Sequence, residues 1–170
     1  METILARYDA IEPVRTRSSA ALDVLAVAGL MAVAAQARLP LPFSPVPVTL
    51  QTFVALTAAF LVGRHRAAAG IALYLTLGVA GTPLFAAHSM ATVGYLAAFV
   101  LAPYIVTRFR APLAGMIAAS LCVYILGATW LVLFLGMAPL HACAVGVLPF
   151  LPGDALKVIA AVKVADLARS

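Results

Sequence analysis

After its first eighteen residues, the chain is a series of six apolar runs, each ended by arginine, proline or glycine. The runs lie at about 20–36, 48–62, 67–80, 91–107, 111–135 and 152–168. A helix that is apolar on every side has no face for water and must lie in a large core or in lipid. A chain of 170 residues has no core that large. Its residues are 65% hydrophobic and 10% charged, with a mean hydropathy of +1.10. Soluble domains average about 45–50% apolar and about 25% charged, and disordered, collagen-like and disulfide-scaffold chains also differ in composition. The expected fold is an all-α membrane protein with six transmembrane helices. The eleven prolines and eleven glycines predict broken helices and shaped loops, which membranes tolerate where protein buries the freed backbone.

Basic residues set the expected orientation. Arg7, Arg15 and Arg17 precede the first run, and Arg64 and Arg66 separate the second from the third. Arg108 and Arg110 separate the fourth from the fifth, Arg169 follows the sixth, and the alternate loops carry only Arg38. The positive-inside rule then places both termini and the two basic turns in the cytoplasm. The loops at 37–47, 81–90 and 136–150 fall outside, where their prolines and glycines would shape a binding mouth. The second and third runs are short against the roughly 17–25 residues of a spanning helix, but the charge alternation supports spanning. The net charge of +5 is explained by these flanking cations, without nucleic acid as a partner. Residues 1–19 read as a cytosolic tail without a signal-peptide core, and 20–170 as one membrane domain. No convincing internal repeat is present. Cys122 and Cys143 read as small buried hydrophobes, with no metal-ligand spacing.

Ionisable residues inside apolar runs are candidates for function, because a charge at mid-helix costs about 2.5–3.5 kcal/mol on insertion scales. Asp23 lies near the start of the first run and can face water. Lys163 and Asp166 lie near the end of the sixth and can pair or snorkel. Asp154 and Lys157, in PFLPGDALK, stand apart. Their spacing puts both on one face of a helix that begins at Pro152-Gly153, at the outer mouth. A carboxylate accepts and an ammonium donates, which suits a neutral polar ligand carrying N–H and C=O groups. A mutual ion pair closing the helix start is the plainer reading, and the costly placement at the mouth favours the ligand.

In SPVPVTLQT, prolines hold the loop extended, and Ser44, Thr49, Gln51 and Thr52 supply hydrogen-bonding groups. Thr49 and Gln51 either line a cavity or bond to neighbouring helices. In GTPLFAAHSMATVGYL, His88 lies in an outer loop beside the mouth, and Tyr95 either stacks on a ligand or sits in the interfacial aromatic belt. No P-loop, H-E-x-x-H or G-x-S-x-G sequence is present, so no catalytic residue, metal site or intrinsic ATPase is expected. Ala28 and Ala32 form a small-residue pair suited to close helix packing.

Four stretches together carry a family resemblance: LPLPFSPVPVTLQT at 39–52, LYLTLGVAGTPLFA at 73–86, VGYLAAF at 93–99 and LPFLPGDALK at 148–157. They resemble BioY, the biotin-binding S-component family of energy-coupling factor (ECF) vitamin transporters. The resemblance covers nearly the whole chain after residue 20. It implies the six-helix S-component bundle, with an outward pocket capped by the loop after the first helix. It also implies biotin as transported ligand, no cofactor, and ATP used only through partner subunits. Asp154 would take the ureido N–H groups and Lys157 the ureido carbonyl or the valerate carboxylate, with Gln51, Thr49, Tyr95, His88 and Phe85 as further ligand contacts. Ala28 and Ala32 would dock on a transmembrane coupling subunit driven by ATP-binding cassette ATPases. The location implied is a bacterial cytoplasmic membrane, multi-pass. The chain contains no asparagine, so His88, Ser89 or Gln51 would replace any amide contact to the ureido ring. The alternatives are an S-component for another vitamin, or a non-transport membrane scaffold or enzyme using His88 and Asp154.

Overall fold

In lipid, every backbone N–H and C=O must be satisfied within the chain, and a helix does this from its own residues. The apolar runs accordingly become helices in the computed structural model, which describes residues 20–82 and 90–168. The tail at 1–19, the stretch 83–89 with Phe85, His88 and Ser89, and residues 169–170 lie outside the described residues.

The long helices are α1 (Ala20–Gln36), α2 (Gln51–Val62), α3 (Arg64–Val79), α4 (Val93–Val106), α5 (Pro112–Leu135) and α7 (Leu151–Leu167). A short α6 (Pro139–Gly146) lies between the last two, where the sequence reading has only a proline-punctuated apolar stretch. Proline begins α5 and α6, at a position whose N–H has no intrahelical partner in any case. Gly63 alone joins α2 to α3, with φ +82°, a conformation that costs glycine nothing. The basic turn is therefore one residue long, and Arg64, His65 and Arg66 belong to the first turn of α3. The proline-rich loop after α1 contains a two-residue antiparallel ladder, β1 (Arg38–Leu39) with β2 (Val48–Thr49), pairing Arg38 with Thr49.

Cross-helix contacts fix which ends lie together. Arg66 at the start of α3 donates to Asp23 at the start of α1, at 2.5 Å, so Asp23 is ion-paired rather than turned to water. His65 meets the Tyr104 ring edge-on near the end of α4, with ring centroids 5.6 Å apart. Phe60 and Leu61 of α2 share a groove with Val164 and Leu167 of α7. The basic turns thus gather at one end of the bundle. At the other end, Ser44 of the hairpin loop donates to the Val145 carbonyl of α6 at 2.7 Å.

The core is filled by Met31, Leu56, Ile71, Tyr74, Met116 and Leu131, each almost fully enclosed. The outward faces are equally apolar: Leu22, Leu25, Leu30 and Val33 on α1, Leu113, Ile117, Leu121 and Ile125 on α5, and Leu156 and Ile159 on α7 are exposed. Exposed apolar area this continuous suits hydrocarbon, not water. By length and composition, Pro112–Leu135 and Pro139–Leu167 are long and apolar enough to cross a membrane. The other apolar helices are shorter. Cys122 is half-buried and Cys143 exposed, so the expected burial of both thiols does not hold. Cys143 sits on the short α6 with Leu140 and His141, which are also exposed.

Candidate functional site

A cleft of about 650 Å³, counting its open mouth, lies at the hairpin end of the bundle. Apolar and aromatic walls come from Val46 and Pro47 of the hairpin loop, Leu96 and Phe99 of α4, Val123 of α5 and Phe150 before α7. Polar groups enter on four helices and the hairpin. Thr49 ends β2, Gln51 and Thr52 begin α2, Tyr74 comes from α3, Tyr124 from α5, and Asp154 and Lys157 from the first turns of α7.

Asp154 is 5% exposed. Its Oδ1 accepts from the Lys157 ammonium at 2.6 Å, and its Oδ2 accepts from the Tyr124 hydroxyl at 2.7 Å. One turn of helix supplies the first contact, because residues three apart share a face. The second crosses from α5 to α7. Asp154 also stands in the first turn of α7, where the partial positive charge of the helix start favours a carboxylate. Each carboxylate oxygen has about two lone-pair sites and an ammonium has three protons. The pair therefore retains acceptor capacity on Asp154 and donor capacity on Lys157, beside the cleft.

A second polar chain lines the same cleft. Gln51 is buried. Its Nε2 donates to the Tyr74 hydroxyl oxygen at 3.0 Å, and its Oε1 accepts from Thr49 at 3.2 Å. Both Thr49 and Gln51 line the cavity, and Gln51 also bonds to a neighbouring helix while Thr49 bonds to Gln51. Ser44 has a different task, holding the hairpin loop to α6 and accepting from the Val46 amide at 3.1 Å.

Tyr95 is buried against the bundle and not in an interfacial belt. Its hydroxyl donates to the Gly146 carbonyl at 2.8 Å, so its ring faces the cleft while its polar end secures α6. Ala28 faces inward at 7% exposure, and Ala32 is half-buried against the same core. The outward strip of α1 carries Leu22, Leu25, Gly29, Leu30 and Val33 instead. Lys163 and Asp166 are exposed on α7. Among the described residues, no group of three or more His, Cys, Asp or Glu is placed to hold a metal ion.

Sequence reasoning missed Tyr74 and Tyr124. Their signal was a hydroxyl inside an apolar helix, since buried tyrosines usually find a hydrogen-bond partner. Which helix would supply the partner was not readable from the spacing.

The same arrangement of helices recurs in known proteins. The model of the BioY family matches residues 9–170. The chain belongs to the BioY family. A relative from Pyrococcus horikoshii, named a probable biotin transporter BioY, is 34% identical over 143 residues, covering 76% of this chain and 85% of its own. A biotin transporter BioY from Thermotoga maritima is 29% identical over 143 residues, covering 76% of this chain and 84% of its own. The crystal structure of the S-component for biotin from an ECF-type ABC transporter superposes with a TM-score of 0.78 at 22% identity. It covers 89% of this chain and 91% of the other. The bundle is therefore the S-component fold, as the resemblance implied. The BioY relatives are transporters and not enzymes, which sets aside the intramembrane-enzyme alternative.

Proposed function

We propose that this BioY-family chain is a substrate-binding membrane subunit that captures biotin from outside. It then delivers biotin inward together with an ECF coupling subunit and ATP-binding cassette ATPases. The observation that carries the reading is the Asp154–Lys157 pair, buried yet lining an open cleft. Burying two charges costs several kcal/mol per ion, and an apolar pair of similar volume often serves a purely structural purpose as well or better. A ligand that uses both charges gives the placement a purpose. Biotin's ureido ring offers N–H groups to Asp154 and a carbonyl oxygen to Lys157. The aromatic and aliphatic walls around Phe99, Val123 and Phe150 suit the fused ring's apolar sides.

Gln51 and Thr49 are further polar contacts in this reading, with Tyr95 a wall to the ring system. His88 and Phe85 belong to the 83–89 stretch and join the list by resemblance. The membrane is the bacterial cytoplasmic one, with both termini and the Arg64–Arg66 turn inside, in accord with the positive-inside rule. The cleft end then faces outward. Docking on the coupling subunit falls to α1, with Ala32 nearer the surface than Ala28.

The test is a competition panel on purified protein in detergent, using radiolabelled biotin without ATP. Saturable binding displaced by unlabelled biotin, and not by riboflavin, thiamine or folate, is the expected result. Displacement by one of those vitamins instead would make this an S-component of different specificity.

A further inference from the structure

The alternation of basic turns leaves one loop cation unexplained. Arg38 lies in the hairpin loop at the cleft end, while the basic turns gather at the opposite end. Among the described residues, the lysines and arginines of the cleft end are Arg38 and Lys157. Lys157 is held by Asp154 at 2.6 Å. No ion pair among the described residues engages Arg38, and Arg38 is exposed.

The ladder fixes the side on which the Arg38 side chain leaves the backbone. Thr49 lines the cleft, whereas Val48, the neighbouring residue of β2, packs on the core. Successive residues of a strand point to opposite faces, so the Thr49 face of the ladder is the cleft face. Arg38 is the direct antiparallel partner of Thr49. Side chains directly opposite each other share a face, with Cβ atoms about 4.5–5.5 Å apart. The long Arg38 side chain is therefore rooted at the mouth, on the face that Thr49 turns to the cleft.

Biotin has two polar ends. Its ureido ring is neutral, and its valerate tail ends in a carboxylate that is ionised at neutral pH. With the ring at Asp154 and Lys157, the tail needs a second cation, because Lys157 already serves Asp154 and the ureido carbonyl. An arginine is always charged, and its planar fork matches a carboxylate. We propose that Arg38 binds the terminal carboxylate of the ligand at the mouth and so sets a preference for an anionic over a neutral tail. This rests on the biotin reading above and assigns to Arg38 the end of the ligand that Asp154 and Lys157 leave over. Because Arg38 is exposed, it acts mainly on capture: a rim charge governs the association rate and its salt dependence.

The experiment is surface plasmon resonance on the full chain, immobilised in an uncharged detergent, with biotin and biotinamide as analytes. The amide keeps the ring and the tail length and removes only the charge. Wild type is expected to capture biotin about threefold or more faster than biotinamide at low salt, with the advantage shrinking as salt screens the charges. That comparison needs no variant to fold. Arg38→Gln is expected to abolish the advantage and leave the biotinamide rate unchanged. Arg66→Gln, at the opposite end of the bundle, is expected to keep it. Thermal unfolding checks the fold of both variants. If wild type binds biotin and biotinamide at equal rates, the assignment of Arg38 is overturned while the biotin reading stands. An advantage that persists in Arg38→Gln, or that disappears equally in Arg66→Gln, likewise overturns it. Folded wild type that binds neither compound overturns both.

Discussion

The Lys157 ammonium reaches Asp154 Oδ1 at 2.6 Å, and both side chains are at least nine-tenths buried in the cleft wall. A charge pair so enclosed depends on both members. Asp154→Asn keeps the volume, removes the negative charge and leaves Lys157 without its counter-ion. Truncating one partner of a buried charge pair costs about 2–5 kcal/mol in binding. Biotin affinity should therefore fall by roughly thirtyfold or more, measured by equilibrium binding in detergent. Retention of wild-type affinity would contradict the placement of the ligand at Asp154.

Tyr95 and Gly146 hold α4 to α6. A Cβ on Gly127 would overlap the Tyr95 ring, and one on Gly146 would overlap its hydroxyl. Gly127→Ala should lower thermal stability by about 1–3 kcal/mol through overpacking. Tyr95→Phe removes a buried donor and should cost about 1–3 kcal/mol through the carbonyl it leaves. The two effects act through one side chain, that of Tyr95. Gly127→Ala should therefore be milder in a Tyr95→Ala background, and a thermal-unfolding cycle reads that coupling. Strict additivity would show that the Tyr95 ring is not what Gly127 accommodates.

Ser44 ties the hairpin loop to α6 through Val145, and Val46 and Pro47 of that loop form part of the cleft wall. Ser44→Ala should loosen the wall without touching the polar groups of the site. Faster amide exchange at Val46, Val48 and Thr49 is expected, and with it a biotin dissociation rate several-fold higher, on the order of one lost hydrogen bond. Unchanged exchange at those amides would mean that the ladder with Arg38 and Leu39 holds the loop alone.

Arg66 and Asp23 form the opposite case. The Arg66 side chain is 42% exposed, and water screens such a pair, so exposed pairs are worth about 0–1 kcal/mol. Arg66→Ala should change stability by no more than about that, read by thermal unfolding in detergent, and should leave biotin affinity unchanged. A loss of several kcal/mol would show that the pair works as a buried one.

Much of the bundle could be read from the sequence because helices in lipid depend on composition along the chain. The run at 20–36 coincides with α1, and 111–135 nearly with α5. Hydropathy could not show that α3 begins at Arg64, since three polar residues hide a first helical turn. Nor could it separate α6 from a loop. Asp154 and Lys157 were readable because their cost in an apolar run is local. Tyr124 and Tyr74 were not, because their importance lies in the partners Asp154 and Gln51 on other helices. Alanine spacing gave a packing stripe at Ala28 and Ala32 but not its direction, and Ala28 turns toward the core.

The measurement that bears most directly on the account is calorimetric titration of the purified wild-type chain with biotin, without ATP or partner subunits. A saturable heat with one biotin per chain, abolished or greatly weakened in Asp154→Asn, is the predicted result. Folded wild-type protein that gives no binding heat, and no displacement of labelled biotin, would contradict it.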